Sequence, residues 1–280
     1  MPLKGILLKE YYPKIGMREM SDNDIFYDVS FREELKAFML SLSYECVLTA
    51  DDHDIYEKEP VYNFEMHHSF FLKEVSKALF EYYRDIEKRM IKDDNNACGY
   101  YLSNEDLYIY FIAHEYKHYM HSGTGIRSFL DCYVFLKKHS DTLDWDYINR
   151  ETAKAGIDDL EKKQRDLYEK FKVSFVDADL KQEEIDFLEY LNVGGVHGNF
   201  SVSVLNEARG TVLKNDKLTF SKRVKYIFKR LFPPMSLYKR HYPFFYKHKL
   251  LLPFCFFYRL YLAIFKRNKK IKNEMRILFK

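Results

Sequence analysis

At 280 residues and 47% hydrophobic, the chain can bury a sizeable core, and one large domain or two small ones are expected. Its 24 Tyr, 24 Phe, 10 Gly and 7 Pro exclude a collagen-like, disordered or turn-rich all-β chain. The formal charge of +3 is unevenly divided: residues 217–280 hold 18 Lys and Arg against one acid, Glu274, or +17, leaving −14 over residues 1–216.

Four scattered cysteines, Cys46, Cys98, Cys132 and Cys255, form no CxxC pair. No apolar signal follows Met1, so reduced thiols and a cytoplasmic setting are expected.

Leu3 reads as the end of a strand, and Lys4-Gly5 as a turn into a short helix, Ile6 to Tyr12, stopped by Pro13 and Gly16. Asn23 to Val29 reads as a strand. Ser30 with Glu33 three residues on predicts an N-cap opening a helix to about Ser43. A polar hairpin or loop follows over Asp51 to Glu59, then a second strand over Val61 to His68. Helical periodicity takes over at Leu72 to Lys92. Further helices are predicted from Ser103 to about His121, from Ile126 to His139, from Asp144 to about Phe171, and from Leu180 to Leu191. The organisation is α+β: a small mixed sheet over residues 1–100, a helical region over 101–216 and a basic aromatic helical tail over 217–280.

On a strand, residues two apart share a face, so Asp22 and Asp24 would point the same way while Asn23 and Ile25 take the other side. Two carboxylates so placed suit a hard divalent cation, Mg²⁺ or Mn²⁺, that also takes substrate phosphate oxygens. Glu65 would supply a third carboxylate, on the face it shares with Asn63 and His67. Lys4 and Arg18 are candidates for phosphate contacts, and Gly5 would let backbone amides approach a phosphate. An Asp-X-Asp on its own is more often a turn or a polar strand edge, so the context decides.

Several pieces of the chain, taken in order, resemble one family. They are Leu3-Lys4-Gly5, Tyr11-Tyr12-Pro13, the run from Arg18 to Ile25, and Phe64 to His67. They continue with Glu105 to Leu107, the pair His114 and His118, Arg127 to Asp131, and Leu143 to Trp145. Leu231 to Pro234 and Arg240 to Pro243 extend the likeness into the basic end. The chain resembles the uncharacterised bacterial nucleotidyltransferases of the polymerase-β-like superfamily. The resemblance implies a nucleotidyltransferase-type sheet followed by helices, Asp22 and Asp24 as metal ligands, and Glu65 as the third carboxylate. It implies nucleotidyl transfer from an NTP to an unknown acceptor. Two departures stand out: Lys4-Gly5-Ile6 replaces the superfamily's Gly-Ser or Gly-Gly turn, and the chain starts where the first strand should be ending. A catalytically inactive binding protein on the same fold is therefore the alternative.

His114-Glu115-Tyr116-Lys117-His118 matches HExxH on a predicted helix, the pattern of a zinc metallopeptidase. The motif lacks an evident third ligand: position 121 is His, not the Gly of the extended form. The other readings make His114 and His118 structural polar residues, hydrogen-bonded to Asp131, or residues lining a nucleotide or acceptor pocket with Arg127 and Asp131.

The basic end alternates cationic and apolar positions over Lys222 to Phe232. Its apolar stretch, Leu250 to Phe265, contains Pro253 and Arg259 and is too short to span a bilayer. It reads as a helical subdomain with solvated cations, as a segment lying on an anionic membrane surface, or, with less support, as a nucleic-acid contact.

Overall fold

A computed structural model describes residues 1–195, 198–210, 212 and 218–279. The fold is α+β, with a small mixed four-stranded sheet followed by helices. The chain divides into two compact units, Met1–Lys117 with Arg127–Glu184, and His118–Ile126 with Ile185–Lys280.

The first unit opens with α1 (Lys4–Lys9), two residues earlier than the predicted start, followed by β1 (Asn23–Phe26) and α2 (Arg32–Ser41). β1 stops three residues short of Val29 because Val29–Phe31 forms a 3₁₀ turn. Asp28 caps that turn, accepting from the Ser30 backbone N–H at 2.9 Å, and this takes the place of the predicted Ser30 cap. Then come β2 (Glu45–Thr49), β3 (His53–Lys58) and β4 (Tyr62–His67). β2 lies at the sheet edge and is largely exposed, so it lacks the alternation that betrays a strand in sequence. The helix expected over 72–92 is broken into α3 (Lys77–Tyr83), where the Ser76 hydroxyl caps Leu79 N–H, and a 3₁₀ turn at Ile86–Arg89. A short ribbon, β5 (Ile91–Lys92) with β6 (Tyr100–Tyr101), follows.

The strand order is β1-β4-β3-β2, with β1 parallel to β4 and the rest antiparallel. Residues 1–3 extend the sheet on the far side of β1. Leu3 N–H donates to Asp24 O at 2.9 Å, and Phe26 N–H donates to Met1 O at 2.8 Å. One face of the sheet packs on α2: Met39 and Leu35 meet Tyr56, Met66, Ile25 and Phe64. The period of two therefore turns Asp24, Phe26, Glu65 and His67 to the other face. There Phe26 meets Phe70 edge-on at 4.8 Å, and Phe70 meets Tyr110 of α4 (Asn104–Met120) at 4.9 Å.

α4 is buried all round from Asp106 to Ala113; Tyr108, Ile109, Ile112 and Ala113 are inaccessible. α5 (Ile126–His139), α6 (Trp145–Ala155) and α7 (Asp158–Phe171) complete the unit. Asp144 caps α6 through Tyr147 N–H, and Gly156, at φ +70°, closes it in the left-handed conformation that glycine tolerates.

The second unit contains α8 (Gln182–Gly194) from Ile185 onward, α9 (Phe200–Arg209) and α10 (Phe220–Leu231). It continues with α11 (Met235–His241), α12 (Pro243–Lys247), α13 (Leu252–Tyr261) and α14 (Asn268–Leu278). Val204, Ala208, Tyr226 and Leu278 form a core cluster between α9, α10 and α14. Among the described residues, no helix is long and apolar enough to cross a membrane.

Candidate active site

β1 and β4 run parallel with Asp24 opposite Glu65 and Phe26 opposite His67. Adjacent strands lie about 4.8 Å apart, so this register brings Asp24 beside Glu65, with His67 two residues further on the same face. One ligand atom from each of Asp24, Glu65 and His67 lies within 4.8 Å of the others, and all three side chains are half-buried. His67 Nε2 is 2.9 Å from Asp24 Oδ1 and 3.6 Å from Glu65 Oε2.

The two carboxylates are driven in opposite directions. Burial pushes Asp24 up, but the hydrogen bond and charge of His67, with Lys4 and Lys117, more than offset it and hold Asp24 below the ordinary range. Burial raises Glu65 above its ordinary value, and the charges of Asp24 and Asp22 raise it further. Such divergence is the electrostatic pattern of groups given different proton duties.

Two carboxylates and an imidazole converging within 4.8 Å fit a divalent cation. The carboxylates suit Mg²⁺, and the imidazole widens the choice towards Mn²⁺.

The other residues singled out from the sequence are placed as follows. Asp22 is half-buried immediately before β1, outside the group of three, with its charge reaching both Glu65 and Arg18. Lys4 Nζ lies 2.7 Å from His114 Nδ1. Burial lowers the Lys4 ammonium to about 8, against the opposing charges of Asp131 and Asp24. Gly5 is buried in α1; its carbonyl accepts from Arg18 Nη1 at 3.2 Å, and a Cβ there would come within 3.1 Å of Met20 Cε.

Arg18 is 4% exposed and makes a two-pronged ion pair with Asp131, Nε to Oδ1 at 2.8 Å and Nη2 to Oδ2 at 2.9 Å. Tyr12 donates to the same Oδ1 at 2.7 Å. Arg127 donates to Glu19 O at 3.4 Å. Arg18 and Asp131 therefore tie the segment after α1 to α5.

The HExxH residues do not converge on a metal group among the described residues, where Asp24, Glu65 and His67 form the group that can hold one. His114 engages Lys4, and His118 is the first residue of the second unit's 118–126 segment. Glu115 accepts from Ser128 Oγ at 3.1 Å and from Gln164 Nε2 at 2.5 Å, and its burial pushes it up to about 7. A carboxylate held among interior polar groups is not placed to act as the base of a zinc peptidase.

A pattern of paired carboxylates gives His67 no role, yet His67 joins the group. Its signal was present: it lies two residues after Glu65, on the same strand face.

Residues 1–171 match the family described as uncharacterised nucleotidyltransferase, and the chain belongs to that family. The match covers the sheet and ends at the last residue of α7. No curated protein and no solved structure matches the chain.

Proposed function

We propose that this chain transfers a nucleotidyl group from a nucleoside triphosphate to an acceptor hydroxyl, with Mg²⁺ or Mn²⁺ held by Asp24, Glu65 and His67 and with Asp22 completing the carboxylate set. The observation that carries this reading is the parallel register that sets Asp24 opposite Glu65, in a chain of a nucleotidyltransferase family. When bound, the cation supplies charge neutralisation for the triphosphate and for the leaving pyrophosphate. The chain's own residues do the rest. The 2.9 Å contact of His67 Nε2 with Asp24 Oδ1 keeps the imidazole beside that carboxylate, from where the nitrogen would turn to the cation. Glu65, whose carboxyl burial and the charges of Asp24 and Asp22 hold above its ordinary range, takes the proton that the acceptor O–H gives up as its oxygen bonds to the α-phosphorus. Lys4, held by His114, offers an ammonium close to Asp24 for phosphate oxygens.

Incubation of the purified protein with each labelled NTP and Mg²⁺ tests the proposal. Label transferred to RNA, protein or a small molecule, with pyrophosphate released, is the expected result, and Asp24→Asn should abolish it. Absence of both with every NTP would overturn it.

A second reading is a fold that binds nucleotide without turning it over. The commitment of Arg18 to Asp131 favours it, because that guanidinium is already neutralised and buried. Nucleotide binding by calorimetry, without pyrophosphate release, would decide for it.

A further inference from the structure

The second unit carries an apolar surface on its outward side. α13 runs ten residues and continues through a five-residue π-helical turn, Leu262–Lys266. Its inner side is satisfied. Cys255 is fully buried, and Arg259 donates to Arg230 O at 2.7 Å, to Leu231 O at 2.9 Å and to Tyr238 Oη at 3.2 Å. Its outer side is apolar: Phe254 and Phe257 are both 65% exposed, and Tyr261, Ile264 and Phe265 follow at helical spacing, each at least half exposed.

α10 repeats the pattern. Tyr226 faces inward, while Phe220, Val224 and Phe228, four residues apart, face out. The two stripes are continuous. Phe228 meets Phe232 at 4.8 Å, Phe232 stacks on Phe256 at 5.4 Å, and Phe256 meets Phe257 at 5.6 Å. Soluble surfaces rarely expose a contiguous aromatic patch of this kind without a partner.

The charge flanking α13 has one sign. Lys247 and Lys249 precede α13, and Lys266, Arg267, Lys269 and Lys270 follow it. The single acid of residues 218–279, Glu274, is 3% exposed and is matched by Arg230 and Tyr226. Fifteen residues of helix reach about 22 Å, against a hydrocarbon core of about 30 Å, so this helix is too short to cross a bilayer.

We propose that the outward faces of α10 and α13 dock on an anionic phospholipid bilayer, with Phe254, Phe257 and Ile264 entering the acyl boundary and the flanking lysines and arginines meeting lipid phosphates. The charge pattern selects this occupant. Two copies of the chain placed face to face would oppose their cationic rims, whereas an anionic bilayer neutralises the rim and covers the aromatic centre. The proposal is independent of nucleotidyl transfer.

Sedimentation of the full chain with vesicles tests it, using phosphatidylcholine alone and phosphatidylcholine mixed with phosphatidylglycerol. The chain should pellet with the mixed vesicles and far less with phosphatidylcholine alone. Part of the binding should survive about 1 M salt, where charges more than about 3 Å apart are screened. Replacing the exposed pair, Phe257→Ser with Ile264→Ser, should weaken binding by roughly tenfold or more through lost apolar burial. Lys266→Glu with Lys269→Glu should remove mainly the salt-sensitive part. Asp24→Asn should bind vesicles as the parent does, which separates this surface from the catalytic reading.

Circular dichroism shows whether each variant is folded, and Phe257→Trp, read by a blue shift on adding vesicles, supplies a second measure at the same position. Equal binding by the parent and the folded Phe257→Ser/Ile264→Ser variant would overturn the proposal. So would dimerisation abolished by that variant in a chain that ignores anionic vesicles, or capture by single-stranded RNA in place of lipid.

Discussion

His67 Nε2 lies 2.9 Å from Oδ1 of Asp24 on the neighbouring parallel strand. The contact fixes the rotamer of the acid and supplies the leading influence that holds its carboxyl below the ordinary range against burial. Removing the ring should free Asp24 and let its carboxyl take a proton at higher pH. His67→Ala should therefore bind Mn²⁺ roughly 10–100-fold more weakly, as expected for loss of a ligand or of a ligand's orienting partner. Titration of Mn²⁺ by electron paramagnetic resonance would read this, and parental affinity in the variant would refute the assignment.

Asp24→Asn and Glu65→Gln each keep the shape of the side chain and remove a charge from the proposed cation site. Each should reduce pyrophosphate release by about 100-fold or more, a loss of about 2.7 kcal/mol of transition-state stabilisation, while the unfolding midpoint moves little. Asp22→Ala should cost less, about tenfold, because Asp22 stands just before β1 and outside the group of three. A greater loss for Asp22→Ala than for Asp24→Asn would reverse these roles.

The Arg18–Asp131 pair is a structural clamp between the segment after α1 and α5. Asp131→Asn leaves a guanidinium buried without its counter-charge, a change that costs about 3–5 kcal/mol when one partner of a buried pair is removed. Replacing both, Arg18→Met with Asp131→Leu, should cost less than the two single changes added together. Urea unfolding measures both, and a cost below about 1 kcal/mol for Asp131→Asn would show that the pair does not hold the unit together.

Glu115 links stability to pH. Its carboxyl is raised by burial to about 7 in the folded protein, against an ordinary 4.5. Between those values the folded state binds more protons than the unfolded state, so stability is greatest below about 4.5 and falls as pH rises through about 7. The full difference is up to about 3 kcal/mol. Glu115→Gln should remove this contribution, flattening the unfolding free energy between pH 5 and 7.5 relative to the parent. An unchanged slope in the variant would show that Glu115 titrates as an ordinary carboxyl.

The predicted α5 coincides with the structure residue for residue, and the α6 cap at Asp144 was readable, because both rest on local signals: helical periodicity and a side chain reaching its own helix's first turn. The helix expected over 72–92 failed for the same reason. Its periodicity is real, but Ser76 caps a later start, and Asp85 lies in a bridge conformation that ends the run. β2 was hidden because an edge strand with both faces largely exposed has no alternation to read. Within the candidate site, strand phase and family resemblance point to Asp22, Asp24 and Glu65, of which Asp24 and Glu65 lie together with His67. The full commitment of Arg18 to Asp131, 113 residues away, could not be read from either position.

The sequence by itself determined that this is an α+β chain of a nucleotidyltransferase family, with an acidic front, a basic aromatic end and a pair of acidic strand segments. The charge division and the element types depend on composition and periodicity, and the family on motifs matched in order along the chain. Tertiary structure decided which side chains meet. It set Asp24 opposite Glu65, added His67, turned Glu115 into the helical interior and left the aromatic stripes of α10 and α13 facing outward. Strand register and helix rotation make those choices, because a strand shifted by one residue or a helix turned by half a revolution presents a different set of side chains without any change in sequence.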